Sequence, residues 1–257
     1  MSNSPLVSYT KLSPNHSGQR THVVDRITPH CVVGQCSVET LGNIFAPTSR
    51  QASCQYGIGV DGRVGMYVEE KNRSWCSSSN ANDQRAITIE CASDATHPYA
   101  FNDTVYAKLI ELCTDICKRY GKTKLLWFGD KTKTLNYEPA SNEMVLTVHR
   151  WFANKSCPGD WMYARMGDLA SKVTAKLGGS AGGTEKPADN QALYRVQTGA
   201  FSNKTNADAM LQKVKAAGFD TYMVKVDNLY KIQVGAFSKK ANADAMAAKL
   251  KAAGFDT

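Results

Sequence analysis

The C-terminal quarter of the chain repeats itself, and that repeat limits the possible folds more than any other feature. Tyr194-Arg-Val-Gln-Thr-Gly-Ala-Phe-Ser202 recurs as Tyr230-Lys-Ile-Gln-Val-Gly-Ala-Phe-Ser238, and Asn206-Ala-Asp-Ala-Met210 recurs as Asn242-Ala-Asp-Ala-Met246. The offset is 36 throughout, with 20 of 28 positions identical. Chance does not produce this; a duplicated supersecondary unit does. Each unit opens on alternating residues, the period of a strand. An alanine-rich run follows, in which Ala207, Met210, Leu211 and Val214 recur at helical spacing. Gly218 and Gly254 stand where a helix C-cap belongs. Thr221-Tyr-Met-Val-Lys-Val226 adds a strand to the first unit. The expected order is β-α-β, then β-α, so a closing strand is expected to be missing and a sheet edge exposed.

Upstream, Leu177-Gly-Gly-Ser-Ala-Gly-Gly-Thr-Glu-Lys-Pro187 is small, polar and glycine-rich, the composition of a flexible linker. The expected division is a body at 1–177, a linker at 178–191 and a tail at 192–257. Of 257 residues, 42% are hydrophobic, enough for a core in the body. No apolar run reaches the roughly 18–20 residues of a membrane span, so membrane insertion is not expected. The N-terminus lacks a basic start followed by an apolar stretch, so synthesis in the cytoplasm without a classical signal peptide is expected. The net charge of +8 suits an anionic partner. It comes from 20 basic against 16 acidic residues in 1–178 and 11 against 7 in 179–257. There is no RNP-like aromatic motif, helix-turn-helix pattern or zinc-finger spacing, so nucleic acid is not the expected partner.

The chemistry lies in the body. His149 precedes Cys157 by one loop, Thr147-Val-His-Arg-Trp-Phe-Ala-Asn-Lys-Ser-Cys-Pro-Gly-Asp160. A histidine and a cysteine so placed can converge on Zn²⁺, which favours nitrogen and sulfur donors. Pro158-Gly159 turns the chain just after the thiol. His30, at the end of the strand-like run Ile27-Thr-Pro-His-Cys-Val-Val33, is the candidate third ligand. Three protein ligands would leave an open fourth position, as catalysis requires. In Ala86-Ile-Thr-Ile-Glu90 the alternation separates Ile87 and Ile89 from Ala86, Thr88 and Glu90, making Glu90 a candidate general base. Lys155, two residues before Cys157, could donate to a developing oxyanion.

Together these segments resemble a known family. Thr28-Pro-His-Cys31, Gln55-Tyr-Gly-Ile-Gly-Val-Asp-Gly62, Ser74-Trp-Cys76, Asn82-Asp-Gln-Arg-Ala-Ile-Thr-Ile-Glu90 and the His149–Asp160 stretch resemble the zinc-dependent N-acetylmuramoyl-L-alanine amidases (amidase-2), over about residues 20–175. The likeness is to endolysins and autolysins of clostridium-like hosts. It implies an α/β fold with a central, mainly mixed sheet flanked by helices. It also implies His30, His149 and Cys157 as zinc ligands, Glu90 and Lys155 as catalytic residues, and Tyr56, Trp75 and Asn82 along the substrate groove. Cys54 stands where some members have a catalytic tyrosine, which shifts weight to Glu90. The implied reaction is hydrolysis of the amide between the lactyl group of N-acetylmuramic acid and L-alanine by zinc-activated water. The tail resembles the SPOR domain, a small βαββα(β) module that binds peptidoglycan, typically glycan stripped of stem peptides. The implied site of action is the bacterial cell wall, reached through a phage holin if the enzyme is an endolysin. A silent peptidoglycan-recognition protein and an endopeptidase on the same polymer are the alternatives.

Overall fold

The computed structural model describes residues 3–178, 194–219, 221–226, 228–237 and 240–257. The expected linker, apart from Gly178, lies outside them. The chain divides into two compact units, 1–186 and 187–257.

The body begins with β1 (Val7–Thr10), β2 (His16–Gln19) and β3 (Arg26–Cys31), then α1 (Val38–Phe45). Next come β4 (Tyr56–Ile58), β5 (Val64–Met66), β6 (Asn72–Ser74), α2 (Asn80–Arg85) and β7 (Ala86–Cys91). It continues through α3 (Asp103–Arg119), β8 (Lys124–Leu126), α4 (Lys131–Asn136), β9 (Glu143–Leu146), α5 (Asp160–Tyr163) and α6 (Met166–Lys176). Seven strands form one mixed sheet in the order β1-β5-β4-β7-β3-β9-β8. All neighbours are parallel except β4 and β5. Strands β2 and β6 form a separate antiparallel pair.

Helix α3 starts at an N-cap, where the Asn102 side chain accepts from the Val105 amide. Val105, Leu109, Leu112 and Ile116 are buried along one stripe, as their spacing predicts. With Leu169, Ala170 and Val173 of α6 they cover the main core, which includes Ile27, Tyr56, Ile58, Ile87 and Ile89 from the sheet. A second cluster, Leu41, Phe45, Cys54 and Tyr67, lies under α1.

Strands β3 and β7 are buried along almost their whole length, as central parallel strands are. Their polar residues are therefore paired. Thr28 and Thr147 share a hydroxyl hydrogen bond of 2.7 Å. Asn82 donates to Thr28 Oγ1 at 3.0 Å and accepts from Thr147 Oγ1 at 2.9 Å. Gln55 Oε1 accepts from the Thr88 amide at 2.9 Å and from Ser74 Oγ at 3.0 Å.

Elsewhere a buried carboxylate ties the N-terminal segment to the body. Glu70, 1% exposed, accepts from Tyr56 Oη at 2.6 Å and from Arg119 at 2.6 and 2.8 Å. Its amide donates to Asn3 Oδ1 at 2.9 Å. The turn after Cys157 is equally confined. Gly159 has φ +82°, and a Cβ there would sit 2.7 Å from the Pro98 carbonyl oxygen.

The tail comprises β10 (Tyr194–Phe201), α7 (Lys204–Ala216), β11 (Tyr222–Val226), β12 (Leu229–Phe237) and α8 (Lys240–Ala252). This is the order expected from the repeat. The sheet is antiparallel, β10-β12-β11, with both helices packed on β10 and β12. Val196, Val214, Val234 and Leu250 form its small core. The two helices end alike. Gly218 and Gly254, both at φ +85°, donate to Lys215 and Lys251 at 2.9 and 3.0 Å. The next amides, Phe219 and Phe255, donate to Val214 and Leu250 at 3.3 and 3.0 Å. This is the Schellman arrangement, which needs the left-handed residue that glycine supplies.

Two substitutions probe these constraints. Glu70→Ala strands a buried hydroxyl and removes a buried ion pair, and should cost about 3–5 kcal/mol in urea unfolding. Gly159→Ala should cost roughly 1–3 kcal/mol through backbone strain, before any clash with Pro98, and thermal unfolding would register it.

Candidate active site

Three adjacent parallel strands, β7, β3 and β9, end on the same side of the sheet. Open parallel sheets commonly gather ligand-binding groups at such strand ends. His30 is the fifth residue of β3, Glu90 is the fifth of β7, and the register pairs them. Beyond β9 the chain enters a single 3-10 turn at His149–Trp151. The loop after it returns Cys157 to the same place.

The side chains converge. Cys157 Sγ lies 3.3 Å from His30 Nδ1, and the His30 and His149 ring centroids are 5.0 Å apart. One donor atom each from His30, His149 and Cys157 falls within 4.8 Å of the others. Glu90 Oε1 lies 3.9 Å from His30 Nδ1. His149 Nε2 is 3.0 Å from Ser78 Oγ.

Arg150 fixes the loop that carries the thiol. Its amide donates to the Cys157 carbonyl at 3.1 Å, and its guanidinium donates to the Ser156 carbonyl and to Asp160 Oδ1, the latter at 2.9 Å. Asp160 Oδ2 in turn meets His97 Nε2 at 2.7 Å.

Burial sets the electrostatics. It holds the His30 imidazole well below the usual histidine range, with His149 adding to the effect. His149 is also lowered, by burial and then by the Lys155 charge. Both rings are therefore neutral near pH 7, the form that binds a metal. Burial pushes the Cys157 thiol up. Burial raises the Glu90 carboxyl to about 7, opposed by the Arg50 charge and by Cys76.

The site opens into a cleft of about 550 Å³ whose walls include Arg50, Trp75, Cys76, Glu90, His149 and Lys155. A second lobe of about 340 Å³ reaches His30 and Cys157 and shares Phe45, Arg50, Glu90, His149 and Lys155 with the first. The residues expected as ligands and catalytic groups, His30, His149, Cys157, Glu90 and Lys155, thus surround one space.

The three expected groove residues separate. Trp75 lines the cleft, with its indole donating to Ser17 Oγ at 2.6 Å. Tyr56 does not: it is fully buried, its hydroxyl held between Glu70 and the Ser4 amide. Asn82 is 3% exposed and spent on the Thr28–Thr147 network. Strand alternation turns Tyr56 into the core, and α2 sets Asn82 against Thr28 and Thr147, one layer below His30.

Sequence reasoning did not single out Arg50, Cys76 or Ser78. Cys76 sits in the Ser74-Trp-Cys motif, so its position could have been inferred. Arg50 lies in a 3-10 turn, Thr48–Arg50, with no chemical motif around it.

The donor set itself tests whether a metal fits. Two neutral imidazoles and a thiol within bonding reach of one point suit Zn²⁺ and not Mg²⁺ or Ca²⁺, which take oxygen ligands.

The family model for the SPOR domain matches residues 190–257. No curated protein matched the chain. Among solved structures, the peptidoglycan binding domain of the B. subtilis cell wall lytic enzyme CwlC is 55% identical over 25% of this chain and 81% of that one, with TM-score 0.24. PlyL is 15% identical, covering 64% of this chain and 95% of its own, with TM-score 0.46. The N-acetylmuramoyl-L-alanine amidase LysC from Clostridium intestinale URNW is 16% identical, covering 68% and 96%, with TM-score 0.42. The family model for N-acetylmuramoyl-L-alanine amidase matches residues 19–160, more than half of the sequence, and the chain belongs to that family.

Proposed function

We propose that this amidase cuts peptidoglycan at the lactyl–L-alanine amide with Glu90 as general base and a zinc ion held by His30, His149 and Cys157. The observation that carries the reading is the meeting of these four side chains at one cleft. When bound, zinc supplies Lewis acidity toward the lactyl carbonyl and the attacking water.

The chain's own groups do the rest. Glu90 takes the proton from the water and returns it to the departing L-alanine amine. A carboxyl titrating near 7 is matched to both duties. Lys155 donates to the oxyanion that develops on the lactyl oxygen. Trp75 offers an aromatic wall to the sugar or peptide. Arg150 and Asp160 keep the Cys157 loop in register with His149.

The tail brings the enzyme to the same polymer. Two binding modules on one chain raise the effective concentration of the second contact. The tail's preference is for glycan stripped of stem peptides, so enzyme gathers where amidases have already cut. Action at the cell wall, as an endolysin or autolysin, follows. No helix among the described residues is long and apolar enough to cross a membrane.

Digestion of purified peptidoglycan should release new L-alanine amines and free lactyl groups, and a chelator should abolish the release. Glu90→Ala should lower kcat by about 10²–10⁴-fold, the usual worth of general acid–base catalysis. Retention of full activity by Glu90→Ala would refute the assigned base, and retention by Cys157→Ser would refute the ligand set. For the tail, pull-down on amidase-treated and untreated sacculi should favour the treated wall; equal binding sinks the stripped-glycan preference.

A further inference from the structure

The cleft contains a thiol that the hydrolytic machinery does not use. Cys76 Sγ lies 3.9 Å from Glu90 Oε1, and His30 Nδ1 lies the same distance from that oxygen. One donor atom each from His30, Cys76 and Glu90 falls within 4.8 Å of the others, so these residues form a second set able to hold a cation. We propose that Cys76 and Glu90 form a second divalent-cation subsite beside the His30–His149–Cys157 set. It takes a thiophilic ion such as Zn²⁺ or Cd²⁺ and, when filled, withdraws Glu90 from catalysis. This rests on the reading in which the first set holds the catalytic zinc and Glu90 is the base.

Four observations carry it. The first is spacing. Zinc bonds of about 2.3 Å to sulfur and about 2.0–2.2 Å to oxygen allow one ion to join atoms 3.9 Å apart at an open angle. The second is an unspent acceptor: Glu90 Oε2 is buried and has no hydrogen-bond partner among the described residues.

The third is rigidity. Asp83 accepts from the Cys76 amide at 3.1 Å, from the Ser77 amide at 3.1 Å and from Ser77 Oγ at 2.6 Å. The turn that carries the thiol is therefore anchored before any ion arrives. The fourth is access, since Cys76 and Glu90 both line the 550 Å³ cleft.

The two sets share His30, whose Nδ1 is also 3.3 Å from Cys157 Sγ. One imidazole nitrogen binds one ion. With the first set filled, the second ion keeps Cys76 and Glu90 as protein ligands and completes its shell from solvent. It therefore binds more weakly than the first. On binding, the Cys76 thiol releases its proton to solvent and the thiolate becomes the ligand.

The test titrates the full-length protein, stripped of metal, with Zn²⁺ and separately with Cd²⁺. Stoichiometry is read by calorimetry, and Cd–thiolate absorption identifies sulfur ligation. Hydrolysis is followed as the ratio of rates at excess and at one equivalent of Zn²⁺. Wild type should bind two ions in two steps, with the rate falling on the second. Cys76→Ser, close in size but a poor ligand for a soft ion, should bind one ion, lose the second Cd–thiolate absorption and escape inhibition. A second step and inhibition that persist in Cys76→Ser would overturn the proposal, as would a wild-type protein that binds one ion and is not inhibited. A wild-type protein that binds no ion stoichiometrically would overturn the zinc reading of the first set, and the subsite with it.

Discussion

The parallel pairing of β3 with β7 is the constraint on which the rest of the site depends. In that register Arg26 faces Ala86, Thr28 faces Thr88 and His30 faces Glu90. Strand side chains alternate between faces, so a slip of one residue would send His30 to the opposite face. The hydrophobic partners of the same strands oppose any slip. Ile27, Cys31, Ile87 and Ile89 are all locked into the main core. The core thus sets the register, and the register sets the distance between His30 and Glu90.

A parallel strand at the centre of a sheet is normally apolar on both faces. Here one face carries Thr28, His30, Thr88 and Glu90, and burying such groups unpaired would cost several kcal/mol. The lower layer avoids this cost through the links among Asn82, Thr147, Gln55 and Ser74. The upper layer does not avoid it entirely. His30 Nε2 and Glu90 Oε2 are buried without hydrogen-bond partners among the described residues. A buried polar group without a partner calls for an explanation, such as a catalytic role or a bound ion. The same low-dielectric setting keeps the imidazoles neutral and brings the Glu90 carboxyl to about 7.

The tail shows a different economy of design. Its core is small, and each repeat contributes one strand and one helix to it. Identical helix ends, closed by Gly218 and Gly254, let two copies of one unit pack on a common sheet. Their exposed ion pairs match as well, Lys204 with Asp208 and Lys240 with Asp244, four residues apart in each helix. Exposed pairs of this kind add little stability, so the fold of the tail rests on its few buried side chains and its backbone bonds.

The sequence by itself determined whatever is local or periodic. The duplicated units, the glycine caps, the buried stripe of α3 and the chemical types of His30, Glu90, His149 and Cys157 all follow from spacing and side-chain chemistry. Only the tertiary structure decided which polar residues meet in space. Tyr56 and Asn82 lie in motifs that suggested the groove, yet packing sends one into the core and ties the other to Thr28 and Thr147. Arg50 reaches the cleft from a 3-10 turn with no chemical motif around it, in a segment remote from Glu90 in sequence. The reason is physical. Periodicity specifies which face of an element a side chain occupies. The partner across that face depends on strand order and on loops whose course comes from long-range packing, and the order β7-β3-β9 is written in no single stretch of the chain.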